Sequence, residues 1–188
     1  MTSLIKYRIK KMRKLTHSEI QSKRLSIETL NQAKKFPLYV LLDNIRSMYN
    51  VGSIFRTSDS IMIQKLFLTG YTPTPEKKEV KKTALGSTES VEWEYHKDPI
   101  ELIKKLKSDG IKIVALEITD KSVPYTSITK QDFPMCLIVG NEITGIQNQI
   151  LELCDLAIEL PMYGIKHSLN VAVAYGVAVY ELRRKWEE

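Results

Sequence analysis

Several kinds of residue are scarce in this chain, and each shortage excludes a class of protein. The 188 residues include two cysteines and three histidines. Cys136 and Cys154 lie in apolar stretches with no further Cys or His at ligand spacing. They predict two buried thiols, with neither a disulfide framework nor a metal site. No apolar run approaches the roughly 18 residues that a membrane span requires, and the N-terminus lacks the apolar core of a secretion signal. We therefore expect a cytoplasmic protein.

Motifs of the common nucleotide-dependent and hydrolytic enzymes are also missing. The sequence contains no Gly-x-Gly-x-x-Gly, no P-loop and no convincing nucleophile next to a base. Dinucleotide oxidoreductases, P-loop NTPases and the familiar hydrolases are therefore disfavoured.

Positive charge is concentrated at the N-terminus. The net charge is +6, but residues 1–35 carry +8 and the remainder carries −2. A basic arm of this kind suits a nucleic-acid backbone, although it also suits a merely solvated terminus. We expect residues 1–36 to form a basic arm and helix, and residues 37–188 to form one domain. The candidate RNA contacts of the arm are Lys10, Lys11, Arg13 and Lys14.

Short apolar runs alternate with amphipathic stretches along the chain. This rhythm predicts an α/β fold with a mainly parallel sheet and helices on both faces. Residues 71–82, with two prolines and four lysines, are predicted to form a loop. The predicted strands are 38–42, 65–69, 91–95, 112–117, 135–139 and 156–160. The predicted helices are 17–35, 50–62, 99–109, 147–154 and one that follows Ser168.

Two of these helices begin with polar residues that suit a helix cap. Asn50 and Ser168 are the expected N-caps, and the helix after Ser168 is apolar nearly all round, as in a buried helix. Gly52 and Arg56 are four residues apart and share a face, which predicts open space beside the guanidinium. Arg56 also follows a buried strand, where open α/β sheets place their sites, so a functional role is favoured over a surface ion pair.

Three polar segments at strand ends, taken together, resemble a known family. They read Asn50-x-Gly52-x-x-x-Arg56-Thr57, then 138–145 with Gly140-Asn141-Glu142-x-x-Gly145, then 160–171 with Ser168-Leu169-Asn170-Val171. In this order and spacing they are similar to the SpoU (TrmH) family of RNA 2′-O-methyltransferases, within the SPOUT methyltransferases. The resemblance covers about residues 37–185. It implies a deep C-terminal trefoil knot, an exception to ordinary chain topology.

The resemblance also implies a cofactor, S-adenosylmethionine, bound in the knot largely by backbone atoms. The matching cofactor positions in this chain are Leu116, Gly140, Leu160, Met162, Ser168 and Leu169. The catalytic set that it implies is Arg56, Asn50, Glu142, Ser168 and Asn170. The family often has a second serine just after this last motif, but Ala172 stands here, so any role of that serine does not transfer.

Arg56 is the residue that the family treats as central, sometimes as a general base. Because a guanidinium holds its proton firmly, we prefer the hypothesis that Arg56 grips the phosphate beside the target ribose and orients the hydroxyl. The proton would then leave to a phosphate oxygen or to water. Glu142 is expected either to anchor Arg56 or to hold loop amides. The alternative interpretation is a carboxylate placed at a helix N-terminus, where the helix dipole favours it. The expected RNA contacts of the domain are Arg46, Arg56, Lys81 and Lys82.

The expected partners are tRNA or rRNA and a second copy of the chain, because the family is homodimeric with shared sites. Gly176 suits close helix packing, although an intramolecular contact would explain it equally. Two other functions stay open at this point. One is a catalytically idle RNA-binding module that keeps the fold, and the other is an enzyme that methylates a base nitrogen.

Overall fold

The computed structural model describes residues 12–188, apart from the side chains of three residues of the second helix. Lys10 and Lys11 lie outside the described residues. The chain divides between Ala33 and Lys34 into two compact units. The first unit contains α1 (His17–Gln21) and α2 (Ile27–Gln32). The prediction of one helix over 17–35 was therefore wrong, because Thr16 and Ser26 each cap a separate short helix.

The second unit is built on one parallel sheet. Within the described residues its strands are β1 (Phe36–Asp43), β2 (Ile63–Thr69), β3 (Trp93–His96), β4 (Lys112–Leu116), β5 (Val123–Pro124), β6 (Met135–Val139) and β7 (Leu156–Glu159). These seven strands have the order β3-β2-β1-β6-β4-β7-β5 in the sheet, and each neighbouring pair is parallel. The predicted α/β class with a parallel sheet is confirmed.

The sheet has an apolar cluster on each face, because side chains alternate along its strands. Leu38, Val40 and Leu42 of β1 belong to one cluster, and Leu41 belongs to the other. Both faces are therefore covered, as buried parallel strands require. The helices of this unit are α3 (Met48–Ile61), α4 (Lys78–Ala84), α5 (Ser87–Ser90), α6 (Pro99–Ser108), α7 (Asn148–Leu151) and α8 (Val171–Glu187), with short 3-10 helices at Tyr125–Ser127 and Lys130–Asp132.

Three sequence-based boundaries were wrong in an informative way. The N-cap of α3 is Ser47, whose hydroxyl accepts the Asn50 amide at 3.3 Å, and the N-cap of α8 is Asn170. Both side chains predicted as caps, those of Asn50 and Ser168, are therefore left for other contacts. Helix α7 has four residues where eight were predicted.

The helix α8 is buried on one face and exposed on the other. Tyr175, Ala178, Val179 and Leu182 are buried, and the Tyr175 hydroxyl lies 2.7 Å from the Ser58 hydroxyl of α3. The prediction that this helix is buried on all sides was wrong for the single chain, because the second face of α8 is exposed to solvent. That face carries Val173, Val177 and Tyr180, which are 52%, 43% and 56% exposed.

The space predicted beside Arg56 is filled by a helix that was not predicted. Residues 78–82, expected to be loop, belong to α4, which buries Val80 and Ala84. A Cβ added at Gly52 would lie 2.7 Å from the Thr83 Cβ and 2.7 Å from the Val80 carbonyl oxygen. Gly52 is therefore required so that α3 and α4 can approach, not to make room for the guanidinium.

We expect Gly52→Ala to destabilise the domain by about 1–3 kcal/mol, because the two helices must move apart to admit the methyl group. Chemical denaturation of the full chain measures this change. Ser53→Ala, the next position on the same helix, is the control and should change stability by less than about 0.5 kcal/mol. Equal stability of the Gly52 variant and the wild type would contradict the close approach of α3 to α4.

Candidate active site

A continuous chain of hydrogen bonds joins the three polar segments. The Glu142 carboxylate accepts the backbone amides of Arg46 at 2.9 Å and Ser47 at 3.1 Å, and the Asn50 side-chain amide at 2.8 Å. The side-chain oxygen of Asn50 then accepts a hydrogen bond from the Asn170 side-chain amide at 3.1 Å. Segments far apart in sequence are thereby fixed at the carboxyl-terminal edge of the sheet, where open α/β proteins bind ligands.

Asn170 completes this chain by capping α8. Its side-chain oxygen accepts the backbone amides of Ala172 at 3.0 Å and Val173 at 3.4 Å. One side chain therefore satisfies free amides at the helix N-terminus and holds Asn50 at the same time. Ser168, the residue expected to cap this helix, instead lines the cleft described below.

The ionisation of Glu142 follows from these contacts. Burial raises the pKa of Glu142, but the hydrogen bonds from Arg46, Asn50 and Ser47 together outweigh burial and hold that pKa below its ordinary value. The carboxylate is therefore charged under neutral conditions. Its contacts are to the loop before α3 and to Asn50, and it does not form an ion pair with Arg56 within the described residues.

Two further carboxylates, which sequence reasoning did not single out, hold the 140–147 loop. Asp43, at the end of β1, accepts the Gln147 backbone amide at 3.0 Å and its side-chain amide at 2.7 Å. Glu117 accepts the Ile146 amide at 3.1 Å. The available signal was position, since both residues lie at or just after strand ends.

A cleft of about 680 Å³ lies beside this loop. All six predicted cofactor positions line it, namely Leu116, Gly140, Leu160, Met162, Ser168 and Leu169. Gly140 permits the tight loop, because a Cβ there would collide with the backbone of Gly145 and Ile146. Glu142 and Asn170 also line the cleft, whereas Asn50 and Arg56 do not.

The lining suits S-adenosylmethionine on two grounds. The cleft volume lies within the range of about 300–1,000 Å³ that small-molecule sites occupy. Its wall combines apolar side chains, including those of Leu116, Leu160 and Met162, with polar groups such as those of Glu117 and Asn148. An adenine ring requires the first kind of surface, and a ribose and an amino acid group require the second.

The predicted RNA contacts are spread over several elements. Arg46, Arg56, Lys81 and Lys82 are exposed, and Lys81 and Lys82 lie in the last turn of α4. Arg56 takes part in none of the ion pairs found within residues 12–188. In the first unit Lys14 is exposed, and Arg13 pairs with Glu19 at 2.6 Å.

The described residues offer neither a metal-binding cluster nor a membrane-spanning helix. No group of three or more His, Cys, Asp or Glu side chains there is arranged to hold a metal ion. None of the helices there has the length and apolar character that crossing a bilayer requires.

Cys136 is buried, and burial raises its pKa, whereas Cys154 is half-buried with its pKa raised to about 11 by burial. Both thiols therefore stay protonated at neutral pH.

Comparison with known proteins adds independent findings. The model of the SpoU rRNA Methylase family matches residues 37–180. A tRNA (guanosine(18)-2′-O)-methyltransferase of Aquifex aeolicus is 34% identical over 162 residues, which cover 86% of this chain and 75% of that protein. The crystal structure of the A. aeolicus TrmH/SpoU tRNA modifying enzyme aligns with a TM-score of 0.77 and 31% identity, covering 86% of this chain and 82% of that one.

A second solved structure extends the likeness to a cofactor-bound protein. The AdoMet-bound rRNA methyltransferase of Sinorhizobium meliloti aligns with a TM-score of 0.75 and 28% identity. The match covers 82% of this chain and 59% of that one.

The parallel sheet and the cleft at its carboxyl edge, together with these matches, define an RNA methyltransferase that uses S-adenosylmethionine. The chain belongs to the SpoU (TrmH) family, whose members methylate ribose 2′-hydroxyls of tRNA or rRNA. The predicted family, reaction class and cofactor are confirmed. The two alternatives, an idle RNA-binding module and a base-nitrogen methyltransferase, are accordingly set aside.

We expect Glu142→Gln to weaken cofactor binding about tenfold, because an amide cannot accept from all three donors that face the carboxylate. Isothermal titration of S-adenosylmethionine measures this change. The variant should also lose stability in a pH-dependent way. A carboxyl whose pKa is lowered by folding stabilises the protein above its unfolded pKa of about 4.5, and this contribution is lost as the pH falls through the folded value.

The stability difference between the wild type and Glu142→Gln should therefore shrink as the pH is lowered from about 7 to about 3.5. Glu89→Gln, which replaces an exposed carboxylate of α5, is the matched control. A constant difference across this range would show that the charge of Glu142 does not hold the loops together.

Proposed function

We propose that the substrate is tRNA and that the methylated group is the 2′-hydroxyl of guanosine 18. The support is the activity named for the A. aeolicus relative, together with coverage of three quarters of that relative's length. The observation on which the proposal depends most is the Glu142–Asn50–Asn170 chain. It ties the cofactor cleft to helix α3, which carries Arg56.

In this proposal the cleft residues hold the cofactor, which supplies a methyl group on a sulfonium centre. Leu116, Leu160, Met162 and Leu169 provide apolar surface, and Gly140 lets the loop backbone approach. Ser168 lies in the wall, where its hydroxyl is free to contact the ligand because Asn170 already caps α8. The hydrogen bonds among Asn50, Glu142 and Asn170 hold the loops in fixed relative positions. The 2′-hydroxyl therefore approaches the methyl group from one direction.

Arg56 binds the substrate in this scheme. A ribose 2′-hydroxyl is a weak acid, so it must be aligned and relieved of its proton as the new bond forms. The Arg56 guanidinium donates to the adjacent phosphate and keeps its own proton, and the hydroxyl proton passes to a phosphate oxygen or to water. The exposure of Arg56 supports this role, since its donors are accessible to a large substrate.

The active assembly is proposed to be a homodimer. Arg56 is six residues beyond Asn50, which is about 9 Å along a helix, and it does not line the cleft of its own chain. The exposed face of α8 has apolar residues at helical spacing. A Cβ at Gly176 would meet no atom within 4 Å among the described residues, so no intramolecular contact explains this glycine. A second chain packed on this face would explain both features.

We propose that residues 135–175 are threaded into a trefoil knot. In support, β7 pairs with both β4 and β5, and therefore lies between two strands that follow one another in the chain. We also propose that residues 1–36 act as an RNA-binding arm attached to the catalytic domain of residues 37–188, and that the protein works in the cytoplasm.

The proposed substrate is tested by transfer of labelled methyl groups to unmodified tRNA and rRNA transcripts, followed by digestion to nucleosides. We expect 2′-O-methylguanosine from tRNA and at least a hundredfold lower rate for Arg56→Ala, as is typical when a charged donor to the transition state is removed (about 10²–10³). Arg56→Lys keeps the positive charge but loses the paired donors of the guanidinium. Its rate should therefore lie between those of Arg56→Ala and the wild type. A higher rate for lysine at neutral pH would instead favour base catalysis.

The proposed dimer is tested by sedimentation of Val177→Glu. A carboxylate on the apolar face of α8 should convert dimers to monomers at micromolar concentration and abolish methyl transfer. Leu85→Glu is the matched control, because Leu85 is 68% exposed and lies on a different element. A wild type that sediments as a monomer while transferring methyl groups would contradict shared sites.

A further inference from the structure

Tyr71 is oriented in the opposite way from most surface tyrosines. A tyrosine usually buries its ring and leaves its hydroxyl in water. Here the hydroxyl is 2.8 Å from the side-chain nitrogen of Asn141, a residue that is 6% exposed, whereas Tyr71 itself is 60% exposed. The polar end of Tyr71 is thus used inside the protein, and much of the residue remains in contact with solvent.

Its position is fixed from two sides. The Tyr71 backbone amide donates to the Asn44 side chain at 3.1 Å, and its hydroxyl accepts from Asn141. Asn141 also donates to the Asn44 carbonyl at 2.8 Å. A ring held at both ends loses little conformational entropy when a flat ligand binds, which favours binding.

A second exposed tyrosine contacts the same turn. Tyr95, at 46% exposure, donates its hydroxyl to the Gly70 carbonyl at 2.7 Å. Gly70 directly precedes Tyr71, and Leu68 pairs with Tyr95 in the register of β2 and β3. Two anchored aromatic residues therefore flank one turn at the carboxyl edge of the sheet.

This turn is coupled directly to the cofactor loop. Asn141, which holds the Tyr71 hydroxyl, also accepts the amides of Ile143 at 2.9 Å and Thr144 at 3.0 Å. All three of these loop residues line the cofactor cleft. A group bound on Tyr71 would therefore lie next to the reaction site, and not at a remote surface.

The charges around the turn suit a polyanion. Arg46 and Lys97 are exposed, and neither forms an ion pair within the described part of the chain. The nearby acidic groups are engaged elsewhere. Glu94 pairs with Lys65 at 2.7 Å, and Asp98 accepts the Ile100 amide at 2.8 Å. Exposed aromatic residues together with unpaired cations are typical of sites for single-stranded nucleic acid.

We propose that Tyr71 is the surface on which one unpaired base of the RNA substrate stacks, at or next to the methylated nucleotide. The inference rests on the proposed function only in taking RNA as the ligand. Stacking on Tyr71 would place the neighbouring ribose beside the cofactor loop through the Tyr71–Asn141 contact. Tyr71 is thus a substrate-positioning residue, distinct from the phosphate-binding role of Arg56.

The test compares Tyr71→Phe with Tyr71→Leu in the full chain. Both variants lose the hydroxyl, but only the leucine variant loses the ring, so their difference isolates stacking. A stacked base contributes about 1–3 kcal/mol, so we expect Tyr71→Leu to bind an unmodified tRNA transcript about five- to 150-fold more weakly than Tyr71→Phe. Fluorescence anisotropy gives the RNA Kd, and titration of S-adenosylmethionine should give equal cofactor affinities for the two variants.

Tyr71→Trp, which keeps a larger ring, should bind RNA at least as well as Tyr71→Phe. Equal RNA affinities of the leucine and phenylalanine variants would overturn the proposal, and so would a difference that follows cofactor affinity or melting temperature. A wild type that binds the transcript without methylating it would overturn the proposed substrate instead. In that case the comparison of the two variants would still decide whether Tyr71 stacks a base.

Discussion

The site depends above all on the Glu142 carboxylate. It accepts two backbone amides of the loop before α3 and the side chain of Asn50, which in turn holds Asn170 at the start of α8. A carboxylate is suited to this position because it only accepts hydrogen bonds and has room for several donors. Its partial burial is compensated by these donors, since they lower its pKa although burial raises it. One charged group therefore organises three distant parts of the sequence.

Other side chains restrain the same loop from different directions. Asp43 holds Gln147, Glu117 holds Ile146, and Asn141 closes the turn by accepting two amides. The cofactor cleft is thus bounded by a loop whose backbone is held by side chains of the chain itself. Preorganisation of this kind reduces the entropy lost on binding and fixes the direction of polar groups.

The sequence allowed the sheet and the cleft to be predicted, but not the contacts between helices. Continuous apolar runs such as Met135–Val139 identify buried parallel strands, because both faces of such a strand are covered. The six cofactor positions implied by the motifs all line one cleft, and their role stays a prediction. In contrast, α4 was missed for two reasons. Its only buried residues, Val80 and Ala84, lie among lysines, and the residue of α3 that it packs against is a glycine, which gives no apolar signal. Capping by Ser47 and Asn170 was also missed, since several polar residues at each helix start compete for that role.

The carboxylates illustrate a second limit. Asp43 and Glu117 are ordinary acidic residues in the sequence, and only the fold shows that their partners are backbone amides of residues 104 and 29 positions away. Every residue except proline has the same backbone amide, so a sequence does not show which amide a carboxylate will bind. Contacts of this kind can therefore be anticipated only from the place of a residue at a strand end, which predicts a site but not its partners.

The arrangement separates the two substrates according to what each requires. The cofactor is small and largely apolar at one end, so it suits a cleft formed within the chain, where shape and backbone groups decide binding. The RNA is a large polyanion that must arrive and leave, and the residues proposed to contact it, such as Arg46, Arg56 and Tyr71, are exposed. An exposed guanidinium keeps its hydration until a phosphate replaces it, which avoids the cost of an unpaired buried charge. Asn50 and Asn141 lie between the two sets of residues. Asn50 joins Glu142 to helix α3, which carries Arg56, and Asn141 joins the cleft loop to Tyr71. If RNA binds as proposed, these two hydrogen bonds connect its contacts to the loop that borders the cleft.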